Sequence, residues 1–229
     1  MQAGSPRNPG SIVSDLARRF ANPAVYVVGL IPAVWTFYLA VSDQLGADPL
    51  KVLERSLGLW ALRFLIIGLA ITPLRRLGGP NLVRYRRATG LLAFFYALFH
   101  VTVYVWLDQG FDLAAIWKDI VKRPYITIGL LAFSILIPLA ATSSNAMIKR
   151  LGPLWQKLHR WVYLAAAAAA LHFAMLVKTW TTQTVVYAGL VAALLAFRVV
   201  VQKRRKTAPG AQPAWRKTFL TTPSTGKAS

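Results

Sequence analysis

Six stretches of almost unbroken apolar sequence recur along the chain, at about 25–41, 57–74, 88–107, 125–141, 161–177 and 185–201. Each has about the 17 to 25 residues that a helix needs to cross a bilayer. Short polar linkers rich in Gly, Pro, Asp and Asn separate them, and Pro32 and Pro138 fall inside spans, where neighbouring helices tolerate the kink. The pattern predicts an all-α membrane protein, a six-transmembrane-helix bundle over 23–202. A polar N-terminal segment, 1–22, precedes it, and a basic tail, 203–229, rich in Pro, Ser and Thr, is expected to be disordered or held against anionic lipid. The first span shows no small-residue cleavage site after it, so the N-terminus is expected to stay attached.

Composition agrees, with 56% hydrophobic residues against the 45 to 50% of soluble domains. The net charge of +20 needs explaining. Of 27 Lys and Arg, 20 lie in the N-terminal segment, the linkers at 75–87 and 149–160, and the region from Arg198 onward, all on one side of a six-span bundle. Six of the seven acids, Asp43, Asp48, Glu54, Asp108, Asp112 and Asp119, fall on the other. The positive-inside rule then puts both termini in the cytoplasm. The basic residues border apolar spans and form no soluble basic-aromatic face, which argues against nucleic-acid binding. Trp106, Trp117, Trp155, Trp161 and Trp180 stand near span ends and read as interfacial anchors. Absence of cysteine excludes disulfides, Cys-ligated clusters and covalent haem attachment.

Ionisable residues inside spans are functional candidates by default. Histidine occurs only at 100, 159 and 172. His100 lies about 10 Å and His172 about 8 Å from the outer ends of the third and fifth spans at the helical rise. Two imidazoles at one depth on different helices can clamp a haem iron from both faces; the alternative is that each serves as packing glue between helices. Three histidines at two depths without cysteine suit zinc poorly. His159 is about 20 Å below His172, level with Arg86, which precedes His100 on nearly the same helix face. This inner pair could hold a second haem, with His159 ligating and Arg86 ligating weakly or pairing a propionate, or could be interfacial charge. On a straight helix His159 and His172 would be rotated about 140° apart, so a bend or non-helical start is needed if both face the core. Arg63, in the second span at the level of His100, either pairs a haem propionate or snorkels to the headgroups. The alanine run at 165–170 leaves a thin surface for a macrocycle or a neighbouring helix.

The stretches ITPLRRLGG (71–79), RRATGLLAFFYALFH (86–100), KRPYITIG (122–129), TSSNAMIKRLGPLWQKLHRWVY (142–163) and LHF (171–173) resemble the MsrQ family, also called YedZ. These are haem-binding membrane subunits of bacterial periplasmic methionine sulfoxide reductase systems, within the ferric-reductase-like transmembrane superfamily. Wider members such as NADPH oxidases resemble a four-histidine core, and here Arg86 occupies the fourth histidine's place. The resemblance implies haem b between His100 and His172, with His159 the remaining inner ligand, and FMN as a further cofactor. It implies electrons drawn from the quinone pool or a cytosolic flavin reductase, and a periplasmic molybdopterin-containing methionine sulfoxide reductase as acceptor in a bacterial inner membrane. FMN phosphate would have Arg75, Arg76 and Arg84 within reach on the inner side. No nicotinamide fingerprint follows a strand, so electrons arrive from another molecule. A stand-alone transmembrane ferric or quinone reductase would share the haem. A cofactor-free transporter is the remaining alternative, disfavoured because the acids lie in tails, loops or at span borders.

Overall fold

A computed structural model describes residues 9–177 and 181–207, and side chains within 23–177 and 181–201. The linkers fold as local chemistry dictates. Helix α1 (Pro9–Val41) is followed by α2 (Pro49–Arg76), which opens with Pro49 and with the Asp48 carboxylate accepting the Lys51 N–H, and closes on Arg75 and Arg76. A 3-10 turn (Val83–Tyr85) leads into α3 (Arg86–Thr102), which continues as a wider π-helical stretch, Val103–Asp108. Asp112 caps α4 (Leu113–Lys122) by accepting the N–H groups of Ala114 and Ala115, and α5 (Pro124–Ala141) follows at once. Ser144 caps α6 (Asn145–Leu151). Gly152, at a φ of 50° that disfavours a side chain, turns the chain into α7 (Pro153–Leu158). The 3-10 turn His159–Trp161 precedes α8 (Val162–Leu176), and α9 (Thr182–Thr207) is the last helix described.

Five of these segments are long and apolar enough to cross a membrane: Pro23–Val41, Pro49–Arg76, Val83–Asp108, Pro124–Ala141 and Thr182–Val201. The fifth expected span, 161–177, corresponds to α8, whose 15 residues extend about 22 Å, short of a full hydrocarbon core. It is packed among other helices, where a short element need not satisfy lipid. Helix α1 begins inside the expected N-terminal segment and α9 reaches Thr207, inside the expected tail. The side chains of 1–22, Trp180, and the tail beyond Thr207 lie outside the described residues.

Two helix pairs make the centre, α2 with α3 and α5 with α8, joined by contacts of α3 with α5 and of α2 with α8. Helix α1 packs on α2 and α3, and α9 on α8 and α2. The alanine run lies inside this packing, with Ala165 and Ala166 fully buried and Ala168 and Ala170 nearly so, so its thin surface is used for helix contact. Large apolar side chains such as Val27, Val34, Ile67, Leu131 and Val186 point outward, as expected of helices solvated by lipid rather than water. The result is an all-α, multi-span membrane fold.

One buried polar group serves the backbone of α1 beside Pro32. Pro32 lies inside that continuous helix, and the hydroxyl of the fully buried Tyr96 enters its ladder beside the proline, donating to the Gly29 carbonyl at 2.7 Å and accepting the Ala33 N–H at 2.9 Å. In a regular α-helix those two groups would pair with each other. Gly29 admits the neighbouring α3, since a Cβ there would stand 2.4 Å from Leu92. Tyr96→Phe is expected to destabilise the folded protein by about 1–3 kcal/mol, the cost of stranding buried polar groups. A lowered thermal midpoint in detergent checks this; an unchanged midpoint would show that α1 closes its own ladder.

Candidate haem site between two helix pairs

His100 is on α3 and His172 on α8, and each is docked in the same way onto the partner helix of its pair. His100 Nδ1 lies 2.8 Å from the carbonyl oxygen of Glu54 on α2, and His172 Nδ1 lies 2.7 Å from that of Tyr125 on α5. A carbonyl only accepts, so both Nδ1 atoms carry the proton and donate. Both Nε2 atoms are thereby left with a lone pair, the tautomer a metal-ligating imidazole needs.

Glycine makes this approach feasible. A helical side chain covers the turn before its own Cα, so the residue four positions after a carbonyl would shield it. Those positions are Gly58 and Gly129. A Cβ on Gly58 would stand 3.1 Å from His100 Nδ1, and one on Gly129 only 2.7 Å from His172 Nδ1. Each glycine is a seat for an imidazole.

The two rings face a shared space, with centroids 6.2 Å apart and planes at 73°. Two iron–nitrogen bonds of about 2 Å, plus about 1 Å from each nitrogen to its ring centre, would place two axial imidazoles roughly 6 Å apart across a porphyrin. The observed separation fits that requirement. The Glu54 carboxylate is 4.0 Å from His100 Nε2, beyond hydrogen-bond reach.

The other expected site residues are distributed differently. Arg63 neither snorkels nor meets a carboxylate among the described residues: Nε donates to the Tyr187 hydroxyl on α9 at 2.8 Å, and the guanidinium lies 4.5 Å from the Trp60 ring centre. That aromatic clamp stabilises the cation without a full counter-charge and leaves the terminal amino groups as further donors. His159 is in the 3-10 turn before α8, so the straight-helix rotation does not apply to it. Its ring stacks on Trp155 at 3.9 Å, Nδ1 lies 3.1 Å from the Trp155 carbonyl, and Nε2 is 3.5 Å from the Ser143 hydroxyl. Arg86 instead lines a cleft with Arg76, Tyr163 and Arg198. Trp155, expected as a lipid anchor, donates Nε1–H to the Thr142 carbonyl at 2.9 Å and holds the linker before α8; Trp106, Trp117 and Trp161 are exposed, as anchors would be. No cluster of three or more His, Cys, Asp or Glu that could hold a bare metal ion occurs among the described residues.

The sequence reading missed Gly58, Gly129, and the backbone of Glu54 and Tyr125 as histidine partners. Their one signal was a glycine inside each of two spans, and KRPYITIG holds both Tyr125 and Gly129.

A bundle of apolar helices that docks two imidazoles at one level is the arrangement of a membrane cytochrome, and the family described as "Ferric reductase like transmembrane component" matches residues 57–170. Proteins of Brucella ovis, Brucella canis and Brucella suis, each named protein-methionine-sulfoxide reductase heme-binding subunit MsrQ, are 54% identical over 189 residues, covering 82% of this chain and 86% of theirs. The chain belongs to the MsrQ family. No solved structure matches it.

If the glycines are seats, adding a methyl group should unseat the imidazoles in order of crowding. Gly129→Ala is expected to lower haem retention more than Gly58→Ala, because the first Cβ falls inside the contact limit and the second only presses on it. Haem per chain after purification measures this; equal retention in both variants and wild type would show that the seats are irrelevant.

Proposed function

We propose that this chain is the haem b electron-transfer subunit of a periplasmic methionine sulfoxide reductase system, with His100 and His172 as axial ligands. The observation that carries the reading is the matched docking of the two histidines, Nδ1 bound and ring centres 6.2 Å apart. Family membership supports it independently, since the Brucella relatives are named as heme-binding subunits.

Haem supplies one-electron redox chemistry when bound. The protein's part is to fix two imidazoles in the ligating tautomer, exclude water with apolar helices, and present donors to the propionates. Arg63 is suited to the last role, half-buried at that level with amino groups to spare. The arginine-rich ends of the helices face the cytoplasm by the positive-inside rule, which puts the histidine pair in the outer half of the membrane. Electrons from the quinone pool or a cytosolic flavin reductase would then leave on the periplasmic side, to a molybdopterin-containing methionine sulfoxide reductase. Sulfoxide chemistry belongs to that partner. FMN is part of the same reading, with Arg75 at the cytoplasmic end of α2 available to a phosphate; Arg76 lines the separate cleft with Arg86 and Arg198, and Arg84 is engaged with Tyr85, its guanidinium 4.5 Å from that ring's centre. His159 is the remaining inner histidine of the same reading: its Nδ1 lies 3.1 Å from the Trp155 carbonyl, the contact that leaves Nε2 with a lone pair, and Ser143 is its nearest Nε2 neighbour at 3.5 Å.

His100→Ala and His172→Ala should each abolish the low-spin haem absorption of protein purified with haem supplied, while His159→Ala keeps at least one haem per chain. Wild-type protein that takes up no haem would overturn the reading. Haem retained in full by either of the first two variants would overturn the ligand assignment.

A further inference from the structure

At the arginine-rich end of the bundle, α2, α3, α8 and α9 surround a cleft away from the histidine pair. Arg76, Arg86 and Arg198 line it together with Thr72, Tyr163 and Phe197. Arg86 and Arg198 are only partly exposed. The Nε of Arg198 is buried and has no hydrogen-bond partner among the described residues, and its guanidinium carbon stands 5.4 Å from the Tyr163 ring centre.

None of the ion pairs among the described residues involves these three arginines. Six of the seven acids are at the opposite end, and the seventh is Asp15 in the N-terminal segment. Converging guanidinium groups in a partly buried site repel one another and lose hydration, so the arrangement calls for an anion from outside. The rest of the lining identifies it. Leu69, Leu194 and Phe197 continue the cleft toward the middle of the spans, so a cationic mouth at headgroup depth opens onto an apolar wall. The enclosed space is only about 10 Å³, room for a single water, so a phosphate would rest at the mouth, beside the exposed Arg76, with its acyl chains along the apolar wall; basic pockets between membrane helices on the cytoplasmic side are recognised as headgroup sites.

We propose that this cleft binds the phosphate of one anionic glycerophospholipid from the inner leaflet, with Arg198 and Arg76 as its principal donors and Arg86 behind them. Arginine forks hold a phosphate diester with two parallel hydrogen bonds, and Thr72 adds a neutral donor. The lipid fastens α9 to α2 and α3 at the end where no carboxylate pairs with these arginines among the described residues. The inference rests on the membrane reading and not on the haem.

The test uses full-length protein purified with haem supplied, washed in detergent and exchanged with phosphatidylglycerol or phosphatidylcholine, with native mass spectrometry counting lipid retained per chain whether or not haem is bound. Wild type should keep one phosphatidylglycerol and prefer it at least tenfold over phosphatidylcholine. The double variant Arg76→Gln with Arg198→Gln should lose that preference, and Lys149→Gln with Arg150→Gln, basic residues exposed at the same end but outside the cleft, should keep it. Haem per chain should be the same in all three, so a failure of the haem reading would leave this result standing. Arg198→Gln alone serves if the double variant does not fold. Equal retention of the two lipids by wild type, or an undiminished preference in the arginine variant, would overturn the proposal. So would thermal stabilisation of delipidated protein by inorganic phosphate equal to that by phosphatidylglycerol, which would assign the cleft to a soluble phosphate.

Discussion

The hydrogen bond from imidazole Nδ1 to a helix carbonyl, made twice, organises the centre of this molecule. A helix interior hides its carbonyls beneath the side chains one turn on, so a histidine can reach one only where that cover is missing. Gly58 and Gly129 remove it on α2 and α5. The bond fixes ring orientation and tautomer together, which is why the same two contacts also fix how α3 lies on α2 and α8 on α5. Close helix approach follows, and the alanine run of α8, with Ala165 and Ala166 fully buried, is what permits it.

The rest of the bundle answers the same demand, that no polar group be left unserved where lipid offers no hydrogen bond. Tyr96 serves the ladder of α1 beside Pro32. Arg63 finds a phenol and an indole face on two helices. At the acid-rich end, Tyr104 donates to Asp119, which also pairs with Arg123 at 3.2 Å, so the π-helical end of α3 is tied to α4 by charge as well as packing. At the arginine-rich end Arg84 meets the Tyr85 hydroxyl and Arg87 the Asn145 side chain, but no carboxylate pairs with an arginine there among the described residues. That asymmetry in counter-charge separates a self-satisfied face from one that looks to its surroundings.

How much of this was legible in the sequence follows from the range of the interactions involved. Span positions and the shared depth of His100 and His172 come from local composition and helical rise, and these needed no tertiary information. The seats did not, because each histidine meets a carbonyl 46 or 47 positions away and nothing at that carbonyl but a glycine marks it. Arg63 shows the same limit: depth alone suggested propionate or headgroup, while the partner it meets, Tyr187, is 124 residues distant. The non-helical start allowed for at His159 is a single 3-10 turn, but its stacking on Trp155 had no periodic signal, and Trp155 was read as an anchor instead. The shortness of α8 also escaped the hydropathy pattern, which measures apolar length and not how much of it is helix.

The most direct test of the paired-histidine site is the electron paramagnetic resonance spectrum of the oxidised, haem-loaded protein. If His100 and His172 both held a haem iron with their ring planes near 73°, the protein would give a low-spin signal of strong anisotropy. That signal in wild-type protein is the predicted result. A high-spin ferric spectrum, with one axial position held by water or empty, would contradict the account.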